Sequence, residues 1–387
     1  MKRILALILC AALLAVVFTA CGDPDDSSQF YWEQQSENPD STNSSTTGEP
    51  SPANTGNRGI DYEAAFASYT PDTIMFTAGG FTVAWDELFF NLRSVLDSLV
   101  SSYGELPDLH EFMYDGRTYA QAVLDYAVDN VLVYRAVEYG AKQYGVTFSE
   151  DDHEYLQSEY EEMSKSYGGM EEFLTTLWEE DGISSLELFY YLYSIPYLAE
   201  LIFKELYGAD GSLLPDEDVE ALTAFGGYLM AKHILRMKTE DGDDTPREEI
   251  DDILQQLDDY SGDDFDSFFD SLMFEHSDDA GGLASFPSGY LFQYGDMVPE
   301  FYDACVTMEI GEYSDAIETS YGFHIIYKLP VNYDEVPMYN YSQYDFRTLR
   351  GIVSQEAFSN KMNEWVSLLI PEYAPILFTL DLKEVFK

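Results

Sequence analysis

The hydrophobic spacing changes period twice along this chain, and that limits the folds open to it. Apolar residues recur at helical intervals through Trp85–Val100, Tyr119–Tyr144, Asp151–Tyr167, Met170–Trp178 and Leu186–Tyr207, with Ser149 and Ser184 placed as N-caps. Ahead of them, two β-rich runs in Thr73–Trp85 flank Gly79-Gly80, the pattern of a hairpin with a two-residue turn. After the acidic run Pro215-Asp216-Glu217-Asp218 the spacing becomes extended. Tyr228–Lys238 reads as a strand, Thr245-Pro246 as an N-cap with proline at the first helical position, and Arg247–Tyr260 and Asp264–Phe274 as helices. A loop of Gly, Ser and Pro leads to a helical turn at Pro299–Cys305 and to strands at Tyr313–Thr319 and Phe323–Leu329. Helical spacing returns over Tyr344–Leu369, and Ile376–Leu382 alternates like a strand. The class expected is α+β, a mainly helical body at 61–225 plus 331–387 interrupted by a β-α-α-β-β module at 226–330 whose ends come together.

The first sixty residues carry a different message. Lys2 and Arg3 precede an apolar run from Ile4 to Phe18 and then Thr19-Ala20-Cys21, the layout of a secretory signal and too short for a stable membrane span. An apolar residue, a small pair and a cysteine at the cleavage point resemble the bacterial lipobox. Residues 1–20 are therefore expected to be removed and Cys21 to carry acyl chains that hold the protein at the membrane. Residues 21–60, mostly Ser, Thr, Asn, Pro, Gly and acids, read as a disordered tether spanning roughly 35 Å. Cys10 leaves with the signal and Cys21 is acylated, so Cys305 remains as a lone thiol and no intramolecular disulfide can form. Its setting, Tyr302-Asp303-Ala304-Cys305-Val306, is that of a small core residue.

The charge narrows the partners. Nineteen Lys plus Arg against 72 Asp plus Glu gives −53, which argues against nucleic acid. Aromatics at 16% still mark a chain that folds and wears its acidity on the surface.

Chemistry concentrates in the module. Three of the five histidines lie there, and His233 and His324 sit inside strands rich in Ile and Leu, whereas His110 and His153 stand among acids as surface residues. A strand histidine is usually a satisfied structural one, but two in one small module can form a hydrogen-bonded pair in which each sets the other's tautomer. His233 points to the face opposite Ile234.

Five ordered motifs then resemble the parvulin peptidyl-prolyl isomerases. They are Ala231-Lys232-His233-Ile234-Leu235, His276-Ser277-Asp278-Asp279, Gly295-Asp296-Met297-Val298-Pro299-Glu300-Phe301, Ile310-Gly311-Glu312 and Tyr321-Gly322-Phe323-His324-Ile325-Ile326. The lipobox and the interrupted helical body resemble the PrsA-type foldase lipoproteins, whose flanking chaperone domain is related to that of SurA. The resemblance implies a central pair of His233 and His324, with Asp279, or Asp278 in the alternative register, facing the isomerising bond. It implies a proline pocket of Met297 and Phe301, completed by Leu291, although the loop Gly281–Tyr294 departs from the commonest spacing. The hydroxyl beside the last histidine is matched by Thr319, with Ser320 and Tyr321 close by.

The implied activity is a membrane-anchored extracytoplasmic foldase that isomerises X-Pro bonds in newly exported polypeptides. The alternative is a holdase whose module binds proline segments without turnover. Rotation about an X-Pro bond meets a barrier of roughly 18–20 kcal/mol and breaks no covalent bond, so no cofactor is expected. His233, His324 and Asp279 contain no ligand-spaced pair, so no metal is expected either. Arg236 and Lys238 are followed by Glu240, Asp241, Asp243 and Asp244, which disfavours phosphorylated clients, and this loop lacks the glycine placement of an EF-hand. Oligomeric state is not encoded in any feature of the sequence.

Overall fold

Capping side chains set most helix starts in the computed structural model, which describes residues 60–239, 244–342 and 347–386. The expected signal, Cys21, the tether and the acids Glu240, Asp241 and Asp243 lie outside the described residues. The elements before the β-rich segment are α1 (Tyr62–Phe66), β1 (Ile74–Ala78), β2 (Phe81–Ala84), α2 (Trp85–Tyr103), α3 (Tyr119–Tyr144), α4 (Glu150–Ser166), α5 (Met170–Thr176), a π turn at Leu177–Asp181, α6 (Leu186–Tyr207) and α7 (Asp216–Phe225). There follow β3 (Leu229–Met237), α8 (Thr245–Asp258), α9 (Phe265–His276), α10 (Ala280–Ser285), β4 (Tyr290–Phe292), α11 (Pro299–Thr307), β5 (Ile317–Glu318), β6 (Gly322–Leu329), α12 (Leu349–Leu368) and β7 (Pro371–Tyr373). Thr118 and Ser149 each close a capping box, with Gln121 and Asp152 respectively. At α6 the cap is Ser185, whose hydroxyl accepts from the Leu188 N–H, and not the expected Ser184, whose hydroxyl is buried without a partner.

The chain divides into two compact units, one running to Glu205 and resuming at Phe358, the other spanning Leu206–Ala357. In the first unit β1 is the centre of a three-stranded antiparallel sheet of order β2-β1-β7. The hairpin turns at Gly79 and Gly80 with φ of +59° and +86°, two left-handed positions in succession, as a mirror-image type I turn requires. Around it Tyr62, Phe66, Trp85, Phe89, Trp178 and Phe386 interlock edge-to-face and stacked, with centroids 5.0–6.3 Å apart. The strand expected at Ile376–Leu382 is instead a 3-10 turn at Leu377–Thr379 and a short helix at Leu382–Val385. Asp381 accepts from the N–H groups of Lys383 and Glu384 and so starts that helix; the strand proper is β7, just upstream.

A buried cation ties the first unit together. Arg135 on α3 donates to Glu87 on α2, to Glu138, to the Tyr191 hydroxyl on α6 and to the Thr82 carbonyl of the hairpin.

The second unit is wider than 226–330. It includes α7 and the start of α12, because Val219, Leu349 and Val353 share a core with Met230 and Leu291. Its sheet is antiparallel, in the order β4-β3-β6-β5. One face, with Ile234, Ile325 and Tyr327, is covered by α8 and α9 through Ile250, Ile253, Leu257, Phe269, Leu272 and Met273. On the other, Ala231 and Ile326 pack with Phe292, Phe301 and Cys305. Beyond the expected β-α-α-β-β order the unit contains α10 and β4, in the segment expected to be loop, and α7, which starts within the acidic run. The strand expected over Tyr313–Thr319 contracts to Ile317–Glu318 plus an isolated pairing of Tyr313 with Tyr327.

Arg135→Met leaves Glu87 buried without its cation and lowers the stability of the first unit by about 3–5 kcal/mol. Urea unfolding followed by tryptophan fluorescence checks this, since Trp85, Trp178 and Trp365 all lie in that unit. Adding Glu87→Leu recovers most of the loss, and an unchanged midpoint for the single variant would refute the role given to the cluster.

Candidate functional site

The open edge of β3 builds the site. β4 covers that edge only along Leu229–Ala231. Farther on, the chain leaving α9 takes over. The Leu235 N–H donates to Ser277 Oγ (3.1 Å), the Asp278 N–H to the Leu235 carbonyl (2.8 Å) and the Met237 N–H to Asp278 Oδ2 (2.9 Å). His233 lies between the two covered stretches, and the next residue of the incoming chain, Asp279, reaches it. On the opposite edge β6 places His324 across from Leu235, one diagonal step from His233 on the same face.

The result is a continuous hydrogen-bonded chain. Thr319 Oγ1 lies 2.8 Å from His324 Nε2, His324 Nδ1 3.0 Å from His233 Nδ1, and His233 Nε2 2.8 Å from Asp279 Oδ2. Asp279 also accepts from the Tyr290 hydroxyl (2.5 Å) and, through Oδ1, from the Gly282 N–H (2.9 Å). The two imidazoles stack with centroids 5.2 Å apart and planes 17° apart, and Phe301 meets both edge-on. His233, His324 and Thr319 are all buried.

Proton positions follow from the ends of the chain. An ionised carboxylate only accepts, so His233 carries its proton on Nε2 and offers the lone pair of Nδ1. His324 then donates from Nδ1 and accepts at Nε2 from the Thr319 hydroxyl, whose oxygen takes the Tyr321 N–H (3.1 Å). The electrostatics agree. The hydrogen bond from His233, joined by those from Tyr290 and the Gly282 N–H, holds the Asp279 carboxyl well below the usual carboxylate range against the opposing effect of burial. Burial, reinforced by the neighbouring His233, pushes His324 down to about 4 and keeps it neutral.

Met297 packs half-buried on the cluster of Ala231, Phe292, Phe301, Cys305 and Ile326, of which Phe301 meets the histidine pair. Leu291 does not join Met297 and Phe301. It pairs with Met230 and turns into the core with Leu214 and Val219, because side chains alternate along β4 and it is Tyr290 and Phe292 that share the Ala231 face. Asp278 is taken up by Arg236 (2.9 Å) and the Met237 N–H, leaving Asp279 to meet His233. Tyr290 and Gly282 were not foreseen; the alternation Tyr290-Leu291-Phe292 between Gly289 and Gly295 was the available signal. Cys305 is fully buried, its thiol pushed up to about 11 by that burial, so it is an inert core group. Among the described residues no cluster of three or more His, Cys, Asp or Glu could hold a metal ion, and no helix is long and apolar enough to cross a membrane.

Residues 233–329, which contain the hydrogen-bonded chain from Thr319 to Asp279 together with Tyr290, Met297 and Phe301, match the family model of the PPIC-type PPIase (rotamase) domain. The segment is a parvulin-type peptidyl-prolyl isomerase domain. Curated relatives carry the name Foldase protein PrsA. That of Oceanobacillus iheyensis is 26% identical over 243 residues, 62% of this chain and 74% of the relative. That of Halalkalibacterium halodurans is 40% identical over 79 residues, 20% of this chain and 22% of the relative. Among solved structures, the peptidylprolyl isomerase PrsA of Bacillus cereus is 18% identical, covering 77% of this chain and 92% of its own, with a TM-score of 0.30.

The neutral His324 makes the rotamase domain sensitive to acid. An unfolded chain takes up this proton near 6.5 and the folded one only near 4, so stability is full above pH 6.5 and falls as pH drops toward 4, by about 3 kcal/mol in all. Denaturation midpoints at pH 7 and pH 4.5 measure the fall, and His324→Asn removes most of the difference. A His324 ring resonance titrating near 6.5 would refute the neutral His324.

Proposed function

We propose that this chain is a lipid-anchored extracytoplasmic foldase whose rotamase domain isomerises X-Pro bonds of exported polypeptides. His233, Asp279 and His324 form the catalytic cluster and Met297 and Phe301 the proline-binding wall. The observation that carries the reading is the one-directional hydrogen-bonded chain from Thr319 to Asp279 set directly against an apolar wall. Rotation of the X-Pro bond requires loss of amide resonance. In the twisted state the nitrogen is a better hydrogen-bond acceptor and the carbonyl oxygen carries less negative charge. An apolar slot that grips the ring beside a fixed, desolvated polar cluster binds that twisted state more tightly than the planar ones.

The client class follows from charge. Arg236 is committed to Glu249 and Asp278, and Lys238 to Glu318, so the cations around the end of β3 are already paired and a phosphorylated client finds no basic cluster there. Unfolded, newly exported chains are the substrates proposed. The helical first unit, which runs to Glu205 and resumes at Phe358, assists their folding, and the lipid on Cys21 keeps the protein at the membrane.

With a proline tetrapeptide, His233→Ala and Asp279→Ala lower kcat/KM by about ten- to a hundredfold, roughly 1.4–2.7 kcal/mol of transition-state binding. Met297→Ala acts mainly on KM. A folded wild-type protein that does not accelerate isomerisation but suppresses aggregation would replace this reading by the holdase. Cys21→Ser shifts the protein from the membrane fraction to the soluble one on cell fractionation, and retention at the membrane would refute the lipid anchor.

A further inference from the structure

Among the described residues, Tyr290 is the tyrosine whose hydroxyl reaches the catalytic cluster. Its hydroxyl lies 2.5 Å from Asp279 Oδ2, the same oxygen that His233 engages. The ring is held on two sides, by Phe286 at a centroid distance of 4.7 Å and edge-on by His233 at 5.5 Å. β4 fixes the backbone through its pairing with β3, Tyr290 opposite Ala231. Gly282 makes room. A Cβ on Gly282 would come within 2.0 Å of the Tyr290 hydroxyl and 2.2 Å of Asp279 Oδ2, so this helical position tolerates no side chain while the contact exists.

Without Tyr290 the carboxylate keeps the Gly282 N–H on Oδ1 and His233 on Oδ2, which leaves Oδ2 with one donor instead of two and its χ torsions less constrained. With it, Oδ2 is clamped between two donors from different strands, His233 on β3 and Tyr290 on β4. We propose that Tyr290 is a positioning residue of the rotamase site: it holds Asp279 as the fixed acceptor for His233 and thereby sets the tautomer of both histidines. The inference rests on the reading of this cluster as the isomerase site and goes beyond it by assigning the group that orients the cluster. Burial and the bond to Asp279 both raise the Tyr290 hydroxyl above its ordinary value, so it remains a donor across the working range.

The test is Tyr290→Phe in the mature chain, which keeps the ring and its packing and removes one oxygen. The titratable groups facing Asp279 are then His233 from β3 and, through it, His324 from β6; Asp278 is paired with Arg236. Loss of a hydrogen bond to a charged group predicts a fall in kcat/KM of about tenfold with KM little changed. Independently of turnover, the ring nitrogen NMR shifts of His233 and His324 change from single fixed tautomers to averaged values. Gly282→Ala, which drives a methyl group into the same contact, produces the same averaging. Tyr290→Phe with ring nitrogen shifts superposable on those of the wild type would overturn the proposal. A wild-type protein without isomerase activity would sink the isomerase reading instead, and the nitrogen shifts would still decide the role of Tyr290.

Discussion

An acceptor-only group at one end of a hydrogen-bonded chain decides where every proton in that chain sits. Asp279 is that group here, and the order of the site depends on it. Its ionised carboxylate makes His233 a donor at Nε2, which makes His233 an acceptor at Nδ1, which sets His324 and finally Thr319. Each link is buried or half-buried, where an unsatisfied polar atom costs about 1–3 kcal/mol, so a reversed or broken arrangement is strongly disfavoured. The backbone that makes this possible is a division of labour along one strand edge. β4 pairs with the first residues of β3, and the segment Ser277–Asp278 pairs with the last. The carboxylate is delivered to the gap between them.

Charge is managed in the same local way. The chain is strongly acidic, yet its few cations are spent on defined structural tasks. Arg135 gathers four acceptors in the first unit, Arg236 ties β3 to α8 and to the chain after α9, and Arg350 reaches Asp216 and Asp334 in the second unit. The remaining carboxylates stay mostly on the surface, where solvent screens them. This separation explains how a net charge of −53 coexists with two well-packed cores.

The long helices were legible because their periodic faces are unambiguous: Tyr119–Tyr144 and Leu186–Tyr207 begin and end where their spacing says. His233 and His324 were legible because a histidine inside an Ile-rich strand is conspicuous. What escaped was short. β4 has three residues and α10 six, too few for a period to show, and both lie in a segment whose glycines and proline suggested loop. That gap explains the placing of Leu291 in the proline pocket. Without β4 its alternation was invisible, and so was Tyr290. The strand at Ile376–Leu382 failed for a complementary reason, since alternation over a few residues is also produced by a tight turn followed by a capped helix.

The sheet of the first unit joins residues almost three hundred positions apart: Phe76 of β1 faces Tyr373 of β7, and the ring of Phe386 stacks on Phe89. As the chain emerges, therefore, β1 waits with an open edge until residues 371–373 arrive, and Trp365 has yet to fill the space left by Gly140. The second unit, closed by Ala357, is by then available in full. A chain arranged this way matures from the middle outward, and its helical unit is the slow, late partner, exposed longest to mispairing. A protein of this kind is thus, for part of its own life, a demanding folding problem.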